Sequence, residues 1–283
     1  MVVERRPYLN PNHEHMVIGD VHGCIDELKA LLEQNHFRID AQGLIHPTAL
    51  SEHRTIVLLG DFVDKASHDK LAETIEFIHQ NYHHLNREKE RFYLIIGNHE
   101  QMIYRYVTED PTLEVTPQRL EQKEKYYNTA ALLESNEVLR SKFLQLYEAS
   151  YVWLKYTHSN VFSVTLTHAP CPEEHLTQND KVSISKMIKC ASRSKNRGVK
   201  IDALLPYLID EAKENRHYHI FGHLSQPSIR HYKNKICIDT SAIYGDHLSC
   251  VVIQGEQLTF DRTPFQHQQR AATQEYNLLF DFE

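Results

Sequence analysis

The chain has 283 residues, with 31 basic against 38 acidic side chains for a formal net charge of −7, and is 41% hydrophobic, 24% charged and 10% aromatic. These values exclude a disordered chain, a collagen and a coiled coil, and the acidic balance argues against a general nucleic-acid binder. No run approaches ~18 apolar residues, so no membrane partner is expected.

Residues 1–15 are polar and carry no apolar leader core. Five scattered cysteines, with no C-x-x-C pair, read as reduced thiols. Both features predict a cytoplasmic protein. Residues 16–18 form a short apolar run ending at Gly19, which predicts a buried strand. Cys24, Ile25, Leu28, Leu31 and Leu32 then fall on one face of a helix over 24–33. A second strand is predicted over 55–59, ending at Gly60, and a helix over 70–82, where His79, His83 and His84 read as surface polar residues. A third strand over 92–96 ends at Gly97. Strands alternating with helices imply an α/β fold with a partly parallel sheet, whose ligands gather at the carboxyl ends of the strands.

Residues 101–150 read as a polar helical insertion broken near Pro111 and Pro117. Residues 161–167 alternate, which predicts a half-buried strand. A basic stretch over 182–200 and a helix over 201–215 follow. Short closing strands are expected over 218–221, 236–239, 247–253 and 257–260, then a glutamine-rich, loose tail over about 262–283. No linker separates the halves, so a single domain over 1–283 is expected.

The polar residues cluster at the predicted strand ends. Gly19-Asp20-Val21-His22-Gly23, Gly60-Asp61-Phe62-Val63-Asp64 and Gly97-Asn98-His99-Glu100 are joined by His168 in Thr167-His168-Ala169-Pro170 and His223 in Phe221-Gly222-His223. Taken singly, each is an ordinary turn or helix start, with Asn98 as an N-cap. Taken together, Asp20, His22, Asp61, Asn98, His168 and His223 offer oxygen and imidazole ligands without thiolate. That donor set suits Mn²⁺, Fe or Zn²⁺. Six donors exceed one tetrahedral zinc and match two ions roughly 3.5–4 Å apart sharing a carboxylate. Such a pair activates a water nucleophile and neutralises phosphoryl oxygens.

In this order, over about residues 16–254, the motifs resemble the phosphoprotein phosphatase superfamily of calcineurin-like metallophosphoesterases, in its bacterial and phage branch. The resemblance implies a central β-sandwich of two mixed sheets flanked by helices. It implies that Asp20 and His22 bind one ion, that Asp61 bridges, and that Asn98, His168 and His223 bind the second. It also implies that His99 is the general acid, held by Asp64. Two divalent ions, manganese first, are the expected cofactors.

Departures from the family pattern bear on the substrate. The usual arginine after the second motif is Lys65 here, which keeps the charge but loses the planar fork. Arg193 is the preferred candidate for a second phosphate-binding cation. Leu224 follows His223 where the family has a threonine, and Ser241 and Asp246 stand at common glycine positions. His217 and His219 read as structural. The leading expectation is a serine/threonine or tyrosine protein phosphatase acting on a phosphorylated protein or peptide. The alternative is a dinucleoside tetraphosphate or other nucleotide hydrolase, with Tyr104, Tyr106, Tyr126 and Tyr127 as candidates to stack a base. A third reading is a binding module with a weakened site.

Overall fold

The computed structural model describes residues 7–110, 121, 123, 126–189 and 211–264. It has two five-stranded mixed sheets. The first runs β12-β11-β1-β4-β5 and the second β6-β7-β8-β10-β9. The strands of the first sheet are β1 (Glu14–Ile18), β4 (Arg54–Leu58), β5 (Phe92–Leu94), β11 (Ser249–Gln254) and β12 (Gln257–Arg262). Those of the second are β6 (Trp153–Ser159), β7 (Phe162–Thr167), β8 (His217–Phe221), β9 (Arg230–Tyr232) and β10 (Lys235–Cys237). β1, β4 and β5 are mutually parallel neighbours, as are β7, β8 and β10. A small antiparallel pair, β2 (Phe37–Ile39) with β3 (Ile45–Pro47), stands apart.

The apolar runs of the first sheet are continuous because both faces are covered. Val17, Val57, Leu59, Tyr93, Ile95, Val251 and Ile253 pack against Leu154, Tyr156, Val164, Leu166, Ile220 and Ile236 of the second sheet. The intervening Met16, Ile18, Ile56, Leu58, Phe92 and Leu94 face a helical layer. That layer comprises α1 (Ile25–Gln34), α2 (His68–Leu85), α3 (Asn98–Val107), α4 (Asn128–Ser135) and α5 (Glu137–Ala149). On the far side of the second sheet, Trp153 and Cys171 pack on Met187 of α6 (Lys181–Ile188). No helix among the described residues is long and apolar enough to cross a membrane.

The predicted strand–helix alternation is present, with the β2–β3 pair inserted between α1 and β4. β7 is buried on both faces rather than half-buried. Its polar face is satisfied by β8: Ser163 Oγ lies 2.9 Å from His217 Nδ1, and Thr167 Oγ1 lies 2.8 Å from His219 Nε2. These contacts bear out the structural reading of both histidines. Arg262 and Thr263, expected to open a loose tail, are tied to the fold. β12 runs to Arg262, and Thr263 exchanges two hydrogen bonds with Leu248, at 2.9 and 3.0 Å. Asn98 is not the cap of α3. Gly97 is the N-cap, and its N–H donates to Glu100 Oε2 at 2.9 Å. The expected helix over 201–215 falls mostly outside the described residues, as do Pro111, Pro117 and the chain beyond 264. Cys24, Cys171, Cys237 and Cys250 are buried.

Candidate active site

The two runs of parallel strands present their carboxyl ends along one edge, and the motif residues sit in the turns there. Asp20 and His22 follow β1; Asp61 and Asp64 follow β4; Asn98 and His99 open α3 after β5. His168 follows β7 and His223 follows β8. These turns are tight. A Cβ on Gly97 would lie 2.0 Å from Asp61 Oδ1, and one on Gly222 would lie 2.0 Å from Asp20 Oδ1. Glycine is therefore required where backbone closes on a carboxylate.

Asp61 is the centre of the cluster. Its Oδ2 lies 3.7 Å from His22 Nε2 and 3.2 Å from His168 Nε2. It belongs to two triads, His22–Asp61–His99 and Asp61–His168–His223, in each of which the ligand atoms lie within 4.8 Å of one another. Both flanking imidazoles have a set tautomer. His22 Nδ1 donates to Val63 O at 2.7 Å, and His168 Nδ1 donates to Leu59 O at 2.7 Å. Each ring thus aims its Nε2 at Asp61, and a backbone carbonyl on the far nitrogen fixes the ring as second-shell groups do at metal sites. Asn98 Oδ1 lies 3.1 Å from His168 Nε2. Asp20 stands outside the tight triads and accepts the His223 N–H at 3.2 and 3.1 Å. The six expected donors are brought to one place, and the donor set fits divalent ions.

The electrostatics reflect crowded burial. Burial, with the carboxylates of Asp239 and Asp61, pushes Asp20 well above its usual range. Burial, aided by the Lys65 ammonium, holds His22 well below the ordinary imidazole value, so it is neutral and able to ligate. Burial opposes ionisation of Asp61, but the charges of His168 and His99 outweigh it and hold that carboxyl low.

His99 is arranged differently from the other histidines. Its Nδ1 lies 2.7 Å from Asp64 Oδ2, and its ring meets His22 edge-on at 4.9 Å between centroids. Burial disfavours the imidazolium, but the Asp61 charge and the Asp64 hydrogen bond outweigh it and raise the His99 pKa. Asp64 is wholly buried (0% exposed). Its other oxygen accepts the Thr129 N–H at 2.9 Å, and its own N–H donates to Thr129 Oγ1 at 2.8 Å. The Lys65 N–H donates to Asn128 Oδ1 at 3.1 Å. Asp64 and Lys65 both have positive φ, at 65° and 70°. The first turn of α4 holds this strained pair in place.

Sequence reasoning missed three supports. Asn128 and Thr129 were hidden in the segment read as an insertion; an Asn-Thr pair opening a helix was their only local sign. Glu100 was quoted within its motif without a role. Its Oε2 accepts the N–H groups of Asp61 (2.7 Å) and Gly97 (2.9 Å), and its Oε1 those of Phe62 (2.8 Å) and Val63 (3.3 Å). It thereby ties the second motif to the third. Burial and the Asp61 charge push Glu100 up to about 7, while the N–H donors pull the other way. Lys65 lies beside the cluster, with its Nζ 5.4 Å from the centroid of the Tyr244 ring. Arg193 lies outside the described residues. Tyr104 is stacked on Tyr147 at 4.0 Å and so belongs to the packing, whereas Tyr127 tilts against His99 at 5.3 Å.

Residues 15–240 match the model of the calcineurin-like phosphoesterases. The chain belongs to this family. It is a metal-dependent phosphoric ester hydrolase, of a family that works with two metal ions. This phosphoesterase is 29% identical over 240 residues to the bis(5'-nucleosyl)-tetraphosphatase PrpE (asymmetrical) of Oceanobacillus iheyensis, covering 82% of this chain and 86% of the relative. It is 26% identical over 242 residues to the protein of the same name from Bacillus velezensis, with 82% and 86% covered. The cold-active protein-tyrosine phosphatase of a psychrophilic Shewanella shares the fold, with a TM-score of 0.59, 17% identity, and coverage of 93% of this chain and 83% of that one.

Proposed function

We propose that this phosphoesterase hydrolyses dinucleoside tetraphosphates, splitting the bridge unequally into a nucleoside triphosphate and a nucleoside monophosphate. The observation that carries the reading is the similarity to bis(5'-nucleosyl)-tetraphosphatases over 82% of the chain. The likeness to the Shewanella enzyme is one of fold and carries no substrate, so the protein phosphatase expected first from the sequence becomes the second reading.

The proposed metal ligands are Asp20 and His22 for one ion, Asn98, His168 and His223 for the other, and Asp61 for both, with manganese the first candidate. When bound, the ions supply an activated water nucleophile and neutralise phosphoryl oxygens. The chain supplies the remainder. His99, protonated and held by Asp64, donates its Nε2 proton to the leaving oxygen as the bridging P–O bond breaks and the water oxygen bonds to phosphorus. Lys65 places an ammonium beside the site to meet phosphate charge. Lys65→Ala is expected to raise KM for the polyphosphate more than it lowers kcat, measured by steady-state kinetics. The shared apolar layer between the sheets supports reading the chain as a single domain.

The deciding assay gives the Mn²⁺-loaded protein diadenosine tetraphosphate or phosphopeptides and separates the products by chromatography. ATP with AMP is expected. Phosphate release from phosphopeptides with no turnover of the dinucleotide overturns the reading and favours the protein phosphatase.

A further inference from the structure

Helix α2 carries histidines at 79 and 83, four residues apart and so on one face, one turn from each other. Their Nε2 atoms lie 3.2 Å apart, with the rings inclined at 69°. Gln145 of α5 places its Oε1 3.0 Å from His79 Nε2. His79 Nε2 therefore has two polar atoms from two helices within 3.2 Å of it, on the seam between α2 and α5. One turn earlier, Lys142 of α5 pairs with Glu76 of α2, so the two helices are already held in this register.

Hydrogen bonding leaves this arrangement underserved. A neutral His79 has one hydrogen-bonding position on Nε2, a proton or a lone pair, and both His83 Nε2 and Gln145 Oε1 face it. A cation at the same point takes a lone pair from all three. The spacing suits that cation. Zinc binds imidazole nitrogen at about 2.0–2.1 Å, and tetrahedral geometry then sets two ligand nitrogens about 3.3 Å apart. The observed 3.2 Å is that separation. Imidazole donors without thiolate select zinc, copper or nickel rather than magnesium or calcium. His79 is half-buried and His83 exposed, so an ion can enter from solvent.

We propose that His79 and His83, with Gln145 as third ligand, form a surface site for a first-row transition-metal dication such as zinc, and that the ion clamps α2 to α5. The site shares no residue with the strand-end cluster. His79 stands eleven residues beyond the start of α2, roughly 16 Å along its axis. It holds or fails independently of the substrate assigned above.

The test uses the full chain with its catalytic sites loaded with Mn²⁺, dialysed against micromolar free Zn²⁺. Bound zinc is counted by emission spectrometry in the wild type, His79→Gln and His83→Gln, and a crystal of the wild type is measured at the zinc absorption edge. Exchange into the catalytic sites is common to all three proteins and cancels in the comparison. One additional zinc per chain in the wild type is expected, with an anomalous peak between the two rings and unchanged Mn²⁺-dependent turnover in both variants. Equal zinc in wild type and variants, or no peak between the rings, overturns the proposal. The peak is read on the wild type and does not depend on how the variants fold.

Discussion

His99 differs from the histidines around it in what its Nδ1 meets. His22 and His168 rest on backbone carbonyls, whereas His99 rests on a buried carboxylate that favours its protonated form. A proton donor matters most when the leaving oxygen is basic. His99→Ala is therefore expected to lower kcat by about 10²–10⁴-fold on alkyl phosphates, and by clearly less on a dinucleoside tetraphosphate, whose leaving group is a weakly basic phosphate. Bound manganese should be retained. Parallel kinetics on the two substrates, with metal analysis, check this. Equal losses would separate His99 from the acid role. Glu100 acts one step removed, as acceptor for four N–H groups in the turns that carry Asp61 and His99. Glu100→Gln turns an amide NH₂ towards some of those donors. Leaving a buried donor unsatisfied costs about 1–3 kcal/mol, so a loss of that size in urea unfolding is expected, together with weaker metal binding.

At the scale of elements, the site depends on how closely the strand-end turns approach one another. Gly222 follows β8 and lies against Asp20, which follows β1 in the other sheet; the His223 N–H then donates to that carboxylate. Gly222→Ala forces apart the two turns that join the sheets. Disturbing groups just outside a metal's ligands typically lowers affinity ~10–100-fold, and a loss in that range, measured as manganese retained after dialysis, is the expected result. Retention at the wild-type level would show that the turns yield without moving Asp20. The first turn of α4 plays a corresponding part for Asp64 and Lys65, whose left-handed backbone is held by Asn128 and Thr129. The segment read as an insertion thus reaches the strand-end cluster.

The whole molecule registers pH through histidines kept neutral by its core. Burial pushes His15, on β1, down to about 4 from 6.5. Its Nδ1 lies 2.6 Å from Thr55 Oγ1 and its Nε2 2.9 Å from Asn10 O. The unfolded chain takes up a proton near 6.5 that the folded chain refuses until about 4. Stability from this residue is complete above the higher value and is lost as pH falls between the two, by up to about 3 kcal/mol. His219 is shifted the same way by burial. Between pH 7 and 5, the loss of unfolding free energy should be smaller in His15→Gln by up to about 2 kcal/mol, as read from urea titrations at the two pH values. An unchanged slope would mean that other groups govern acid unfolding.

Much of this was legible along the chain because it is local. An apolar run ending in glycine predicts a strand and its turn, and an acidic or imidazole residue just after it predicts a site at the sheet edge. Asp20, His22, Asp61, His99 and His223 are named by such a signal, Asn98 by its place directly after Gly97, and His168 by following an alternating strand; the alternation of the first hundred residues is read in the same way. What required the tertiary structure is what depends on distance across the chain. The double burial of β7 follows from histidines on β8, and the grip of Glu100 on the second motif spans 38 residues or so of sequence. The support of Asp64 by Thr129 and the meeting of His79, His83 and Gln145 likewise join segments that nothing local connects. Residue type and short-range spacing decide which groups are available at a strand end. Only the packing of two sheets and a helical layer decides which of them share a proton, a carboxylate or an ion.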